Sequence, residues 1–179
     1  MTTQTKNLTL SLANQRWHLA LDWQYQTLLE TLTALELSTA QLIWQDFKTS
    51  LTAHIEFEHE HIEPLAEALP DEAKLDKTRF DVNIFKLIQA DHLILNRLLI
   101  KVDTALNEIR NAKKPRTELV QQLNILIKLR NVLEHHDLRE AENLYPALEA
   151  EIDAETLAAL AEKMQQTQDA LSQNLPTFA

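Results

Sequence analysis

The chain has 179 residues, 45% hydrophobic and 25% charged, with a formal net charge of −10 and neither glycine nor cysteine. Its length suits one domain with a full apolar core, and its acidity argues against nucleic acid, which needs a basic face to neutralise phosphates. The missing glycine excludes a P-loop, a dinucleotide fingerprint and Asn-Gly hairpin turns, while the missing cysteine excludes disulfides, thiolate metal sites and thiol nucleophiles.

An all-helical chain is the economical expectation. Apolar residues at three-four spacing predict a first helix over about Ser11 to Leu37, through Leu21, Tyr25, Leu28, Leu32 and Leu35. Ser38 and Gln41 read as a capping box that starts a second helix. That helix carries Phe47, Leu51, Ile55, Ile62 and Leu65 towards Pro70, with Pro64 expected to kink its last turn. A third helix is expected over about Lys77 to Asn111, through Phe85, Ile88, Leu95, Leu99, Val102, Leu106 and Ile109. Pro115 suits the first turn of a fourth, which carries Leu119, Leu123, Leu126, Leu129 and Leu133 and is disturbed near its end by Pro146. Asp153 then caps a shorter fifth helix over about 153–173. Short connections between long amphipathic helices imply an up-down-up-down four-helix bundle over about 11–149, with the additional C-terminal helix packed on it. The whole of 1–179 reads as a single domain. No apolar run is long enough to span a membrane, and the first ten residues carry one lysine and no apolar stretch, so the cytoplasm is the expected compartment.

One long-range repeat stands out. His54, Glu58 and Pro64 recur, with the same spacing and 82 residues later, as His136, Glu140 and Pro146. Residues four apart share a helix face, and both pairs continue apolar stripes, Phe47 and Leu51 in one helix and Leu129 and Leu133 in the other. His92 fills the stripe between Ile88 and Leu95, and His18 precedes Leu21 by three. Each long helix thus offers a histidine to the core, where an unpaired ionisable group costs several kcal/mol. Counted from the turns at one end, His18, His54, Glu58, His92 and His136 stand 16 to 22 residues away. At about 1.5 Å per residue they share a level roughly 30 Å deep. Four imidazoles and two carboxylates, Glu58 and Glu140, exceed what one tetrahedral zinc needs and suit two ions bridged by carboxylates, with positions left open.

These segments, His54 through Leu65 and His136 through Pro146, resemble the hemerythrin-like HHE cation-binding family over roughly Trp17 to Glu149. The resemblance implies a four-helix bundle in which His18, His54, His92 and His136 are terminal ligands and Glu58 and Glu140 bridge two irons. It implies an iron pair, Fe2+ or Fe3+, with an oxo or hydroxo bridge, other divalent metals being admissible. The implied partner is a small diatomic molecule, O2 or NO, or peroxide. Hemerythrins proper carry a second histidine where this chain has Asn96, which argues against oxygen carriage in their manner, and Glu63 replaces a common aromatic before the proline. Iron–sulfur repair members add a cysteine-containing domain that this chain lacks.

Other residues stand as candidates around the centre. Asp22, four after His18, is placed to orient that imidazole or to be an exposed helix carboxylate. Tyr25 and Tyr145 read as core aromatics, with a hydrogen bond into the centre as the alternative. His61, seven after His54, and Asn96, four after His92, lie near the ligand faces, whereas His59 and His135 fall beside them. The Glu-x-x-His spacing of ferritin-like sites occurs in the second helix but not in the fourth. Three functional classes follow: a module that binds or senses O2, NO or a related oxidant, a redox enzyme or iron donor in stress repair, and an interaction bundle with an incidental metal. Turnover and oligomeric state are not legible.

Overall fold

The computed structural model describes residues 8–76 and 82–174. It is helical throughout, apart from one two-residue antiparallel ladder between Leu75–Asp76 and Val82–Asn83. In chain order the helices are α1 (Leu10–Thr33), α2 (Leu37–Phe57), α3 (Glu63–Ala68), α4 (Ile84–Asn111), α5 (Pro115–Arg139), α6 (Tyr145–Glu151) and α7 (Ala154–Asn174). Helix α1 packs on α2, α2 on α4, α4 on α5, and α5 back on α1, while α7 lies mainly along α1. The buried apolar residues form a core that all four long helices share. The stripes expected from the sequence line it: Leu21, Tyr25, Leu28 and Leu32 from α1, Phe47 and Leu51 from α2, Ile88, Leu95 and Val102 from α4, and Leu126 and Leu129 from α5. Among the described residues no helix is long and apolar enough to cross a membrane.

Several boundaries depart from expectation for identifiable reasons. Helix α1 stops at Thr33 rather than Leu37, because Leu35 enters the left-handed region at φ 62°. The Glu36 amide then donates to Thr31 O at 2.9 Å and the Leu35 amide to Leu32 O at 3.0 Å. This closure normally uses glycine; a chain without one places leucine there and bears the steric cost, about 1 kcal/mol. Because Glu36 is already in position, α2 begins at Leu37 and the expected Ser38 capping box does not form. The third long helix begins at Ile84, capped by the Asn83 side chain, which accepts from the Lys86 amide at 3.1 Å. Its expected first residues, Lys77 to Asp81, lie outside the described residues, and Val82 and Asn83 belong to the ladder. Asp153 caps α7 as expected, accepting from the Thr156 amide at 2.9 Å.

The prolines do more than kink. Between α2 and α3, residues Glu58–Ile62 form a π-helical turn, and Glu140–Leu144 form its counterpart between α5 and α6. The Glu63 amide donates to Glu58 O and the Tyr145 amide to Glu140 O, each five residues back. A proline at the next position has no N–H to give and its ring collides with the carbonyl four residues back, so the preceding turn widens. Each wide turn therefore opens on a glutamate of the repeat.

Asn83→Ala should remove the α4 cap at a cost of about 1 kcal/mol, lowering the melting temperature by roughly 2–4 °C. Thermal unfolding of the metal-free protein followed by circular dichroism measures it, and an unchanged midpoint contradicts the assignment.

Candidate metal centre

The six side chains singled out by the sequence meet. His18 comes from α1, His54 from α2, Glu58 from the first wide turn, His92 from α4, His136 from α5 and Glu140 from the second wide turn. All six are buried, and His54, His136 and Glu140 are fully so. One potential ligand atom from each of His18, His54, His136 and Glu140 falls within 4.8 Å of the others, and the same holds for Glu58, His92, His136 and Glu140. These two overlapping groups could hold a metal ion.

The contacts define the arrangement. His18 Nε2 lies 2.9 Å from Glu140 Oε2, and His92 Nε2 lies 3.1 Å from Glu58 Oε2. His136 Nε2 stands 2.7 Å from Glu140 Oε1, close but without hydrogen-bond alignment. His54 Nε2 sits between the carboxylates, 3.7 Å from Glu58 Oε2 and 3.8 Å from Glu140 Oε2. Rings of His18 and His54 meet edge to face with centroids 4.6 Å apart, and Trp17 covers His54 at 5.1 Å. Both ring nitrogens of His54 and of His136 are buried with no hydrogen-bond partner, as is Glu140 Oε1. Buried polar atoms are nearly always satisfied. Imidazole nitrogens and carboxylate oxygens left unpaired at one point are the donor set that iron, zinc or manganese takes, so the residues fit a bound cation.

Electrostatics agree with the geometry. Burial pushes the His18 pKa down, but the hydrogen bond and charge of Glu140 outweigh it and leave the group raised. His92 is raised in the same way, with Glu58 overcoming burial. His54, whose carboxylates are more distant, is lowered by burial. Burial would raise Glu140, yet the charge of His136 and the hydrogen bond with His18 hold it well below the ordinary carboxylate range. Glu140 is thus held as a carboxylate.

Not every candidate arrives. Asp22 is exposed, because the buried stripe of α1 runs through Leu21 and Tyr25; the acid beside His18 is Asp137, 3.6 Å from Nδ1. Tyr25 donates its hydroxyl to Leu126 O at 2.7 Å and reads as a core aromatic. His61 is turned out of phase by the wide turn between it and His54, and meets Phe57 edge to face at 4.8 Å. Asn96 is exposed, since Leu95 and Leu99 take the inward positions of α4. His59 and His135 are exposed, as expected.

Three contributors escaped the sequence reading, and a fourth, Tyr145, makes the hydrogen bond that stood as its alternative role. Tyr145, fully buried, donates to Glu58 Oε1 at 2.6 Å, and burial together with the Glu58 charge raises its pKa well above the ordinary phenol value. Asn14 donates from Nδ2 to Glu140 Oε2 at 3.2 Å. Glu63 Oε1 lies 3.5 Å from His92 Nδ1, and Asp137 faces His18. Tyr145 and Glu63 share one cause. Each is five residues after a repeat glutamate, a separation that regular α-winding throws off the face but that a bond from i to i+5 stacks above it.

Loading with a divalent metal should separate ligands from bystanders. His54→Ala or His136→Ala should lose at least one equivalent, whereas exposed His59→Ala should lose none. Equal content in all three by elemental analysis would refute the ligand set. Without metal, His18 and His92 bind protons more tightly folded than unfolded, so their contribution is complete below the ordinary value of 6.5 and fades as pH rises through their raised values. His54, shifted down, acts only below 6.5. Chemical denaturation of the metal-free protein should therefore show stability falling above pH 6.5, with a shallower slope for His18→Gln.

Compared with protein-family models, with curated proteins and with solved structures, the chain matches none.

Proposed function

We propose that the chain is a hemerythrin-like protein whose up-down-up-down bundle holds two iron ions and binds or senses O2, NO or a related small oxidant. The observation that carries this reading is the pair of overlapping ligand groups that share His136 and Glu140. One ion needs about four ligands; six residues in two sets of four, with one histidine and one carboxylate common to both, offer more donors than a single ion takes and suit a pair. Under this reading His18, His54, His92 and His136 would hold the pair as terminal ligands, with Glu58 and Glu140 as the bridging candidates. A bound iron pair supplies electrons and open coordination positions for a diatomic molecule.

The chain's own residues do the rest. Leu21, Leu51, Leu95 and Leu129, all fully buried, keep the core dry. Trp17 packs on His54 and limits its ring rotation. Tyr145 and Asn14 pin one oxygen of each carboxylate by donating to it. A cavity of about 230 Å³ between α1 and α5 is lined by His18, Gln15, Tyr25, Leu133 and Arg130. That volume suits a small molecule, and its position leads to the His18 edge of the centre.

A redox enzyme or iron donor and an interaction bundle with an incidental metal remain the competing classes, and one experiment divides them. Iron-loaded protein, reduced anaerobically, is followed by absorption while O2 or NO is added. A reversible adduct is expected. Steady consumption of the gas or of peroxide would move the assignment to an enzyme, and failure to retain iron would leave a helical scaffold.

A further inference from the structure

The two histidines at the ends of the cluster differ from the two in the middle. His54 and His136 have both ring nitrogens buried without a partner. His18 and His92 each stand between two carboxylates: Nε2 of His18 faces Glu140 and its Nδ1 faces Asp137 at 3.6 Å. Likewise Nε2 of His92 faces Glu58 and its Nδ1 faces Glu63 at 3.5 Å. In both cases the inner carboxylate belongs to the ligand groups and the outer one does not.

An imidazole that gives its Nε2 lone pair to a cation must carry its proton on Nδ1, which creates a donor needing an acceptor. Asp137 and Glu63 are the acidic groups facing those two nitrogens. The present separations, 3.6 and 3.5 Å, are slightly longer than hydrogen bonds. We infer that Asp137 and Glu63 are positioning residues that fix ring orientation and tautomer at His18 and His92. This inference rests on the metal-binding reading above.

The pair is unequal in a useful way. The Asp137 side chain is 45% exposed and lines the cavity beside His18, whereas Glu63 is 13% exposed and is held by His59 Nδ1 at 3.0 Å and Gln89 Nε2 at 3.4 Å. The carboxylate at the His92 end is thus tethered through its other oxygen, and the one at the His18 end is open to solvent and to the cavity.

Titration of the metal-free, full-length protein with Co2+ against a competing chelator tests this, since binding and the visible cobalt bands are read without any turnover. The parent is expected to take two equivalents. Asp137→Ala should weaken one of them about 10–100-fold and Glu63→Ala the other by a similar factor, each with altered cobalt bands. Asp137→Asn and Glu63→Gln keep an acceptor oxygen and should recover most of the loss. Asp22→Ala, which removes an exposed carboxylate from the same cavity, should change neither equivalent. Two equivalents bound by both alanine variants as tightly as by the parent would overturn the inference while leaving the metal centre intact. Equal weakening by Asp22→Ala would also overturn it, by assigning the effect to general charge. A parent that binds no Co2+ removes the inference and the proposed centre together.

Discussion

The organising constraint is the burial of six ionisable side chains at one level of a helical core. Nothing in the apolar stripes around them compensates for lost hydration, and a buried group without a partner costs several kcal/mol. Part of that cost is met inside the cluster, where imidazoles hold Glu140 as a carboxylate and the carboxylates in turn favour charge on His18 and His92. The rest is not met, because the four ring nitrogens of His54 and His136 are buried without a hydrogen-bond partner. The helices tolerate this because each buried leucine or phenylalanine contributes about 1.5–3 kcal/mol, and such residues line all four long helices above and below the cluster. Folding stability is thus spent at the centre and supplied elsewhere.

Helix identity, the core stripes and the buried His/Glu cluster were legible because all depend on a period of 3.6 residues, which a sequence displays directly. His54 with Glu58 and His136 with Glu140 announce themselves by repeated spacing and by their phase with Leu51 and Leu133. The level argument worked for the same reason, since rise per residue is constant along a regular helix. Asp22, His61 and Asn96 misled because four or seven residues from a ligand is close to its face only while winding stays regular and the ligand sits at the centre of the buried stripe. His18 and His92 lie at the edge of theirs, so a residue four further on turns outwards.

What stayed hidden falls into two kinds. Contacts between elements far apart in sequence, such as Asn14 with Glu140 or Asp137 with His18, need the helix rotation angles, which no local pattern encodes. The Glu63 contact and the partner of the Tyr145 hydroxyl were hidden by the wide turns. Both prolines were visible, and both were read as kinks; the signal available was the identical placement of a proline six residues after each glutamate, which marks a shared backbone device rather than two chance helix ends. The helix ends were also misjudged where glycine would ordinarily stand. With Leu35 in the left-handed position, the turn after α1 has no sequence signature at all.

The wide turns carry a consequence for how this chain can vary in length. Each one accommodates a residue beyond what regular winding would hold, and the residues after it are aimed inwards only because of that surplus. Shortening either turn by one position would rotate the short helix that follows it by roughly 100°, swinging Tyr145 away from Glu58 or Glu63 away from His92 while changing none of the six clustered residues. The number of residues between glutamate and proline therefore decides which side chains face the cluster, and an insertion or deletion within 58–64 or 140–146 would re-aim them.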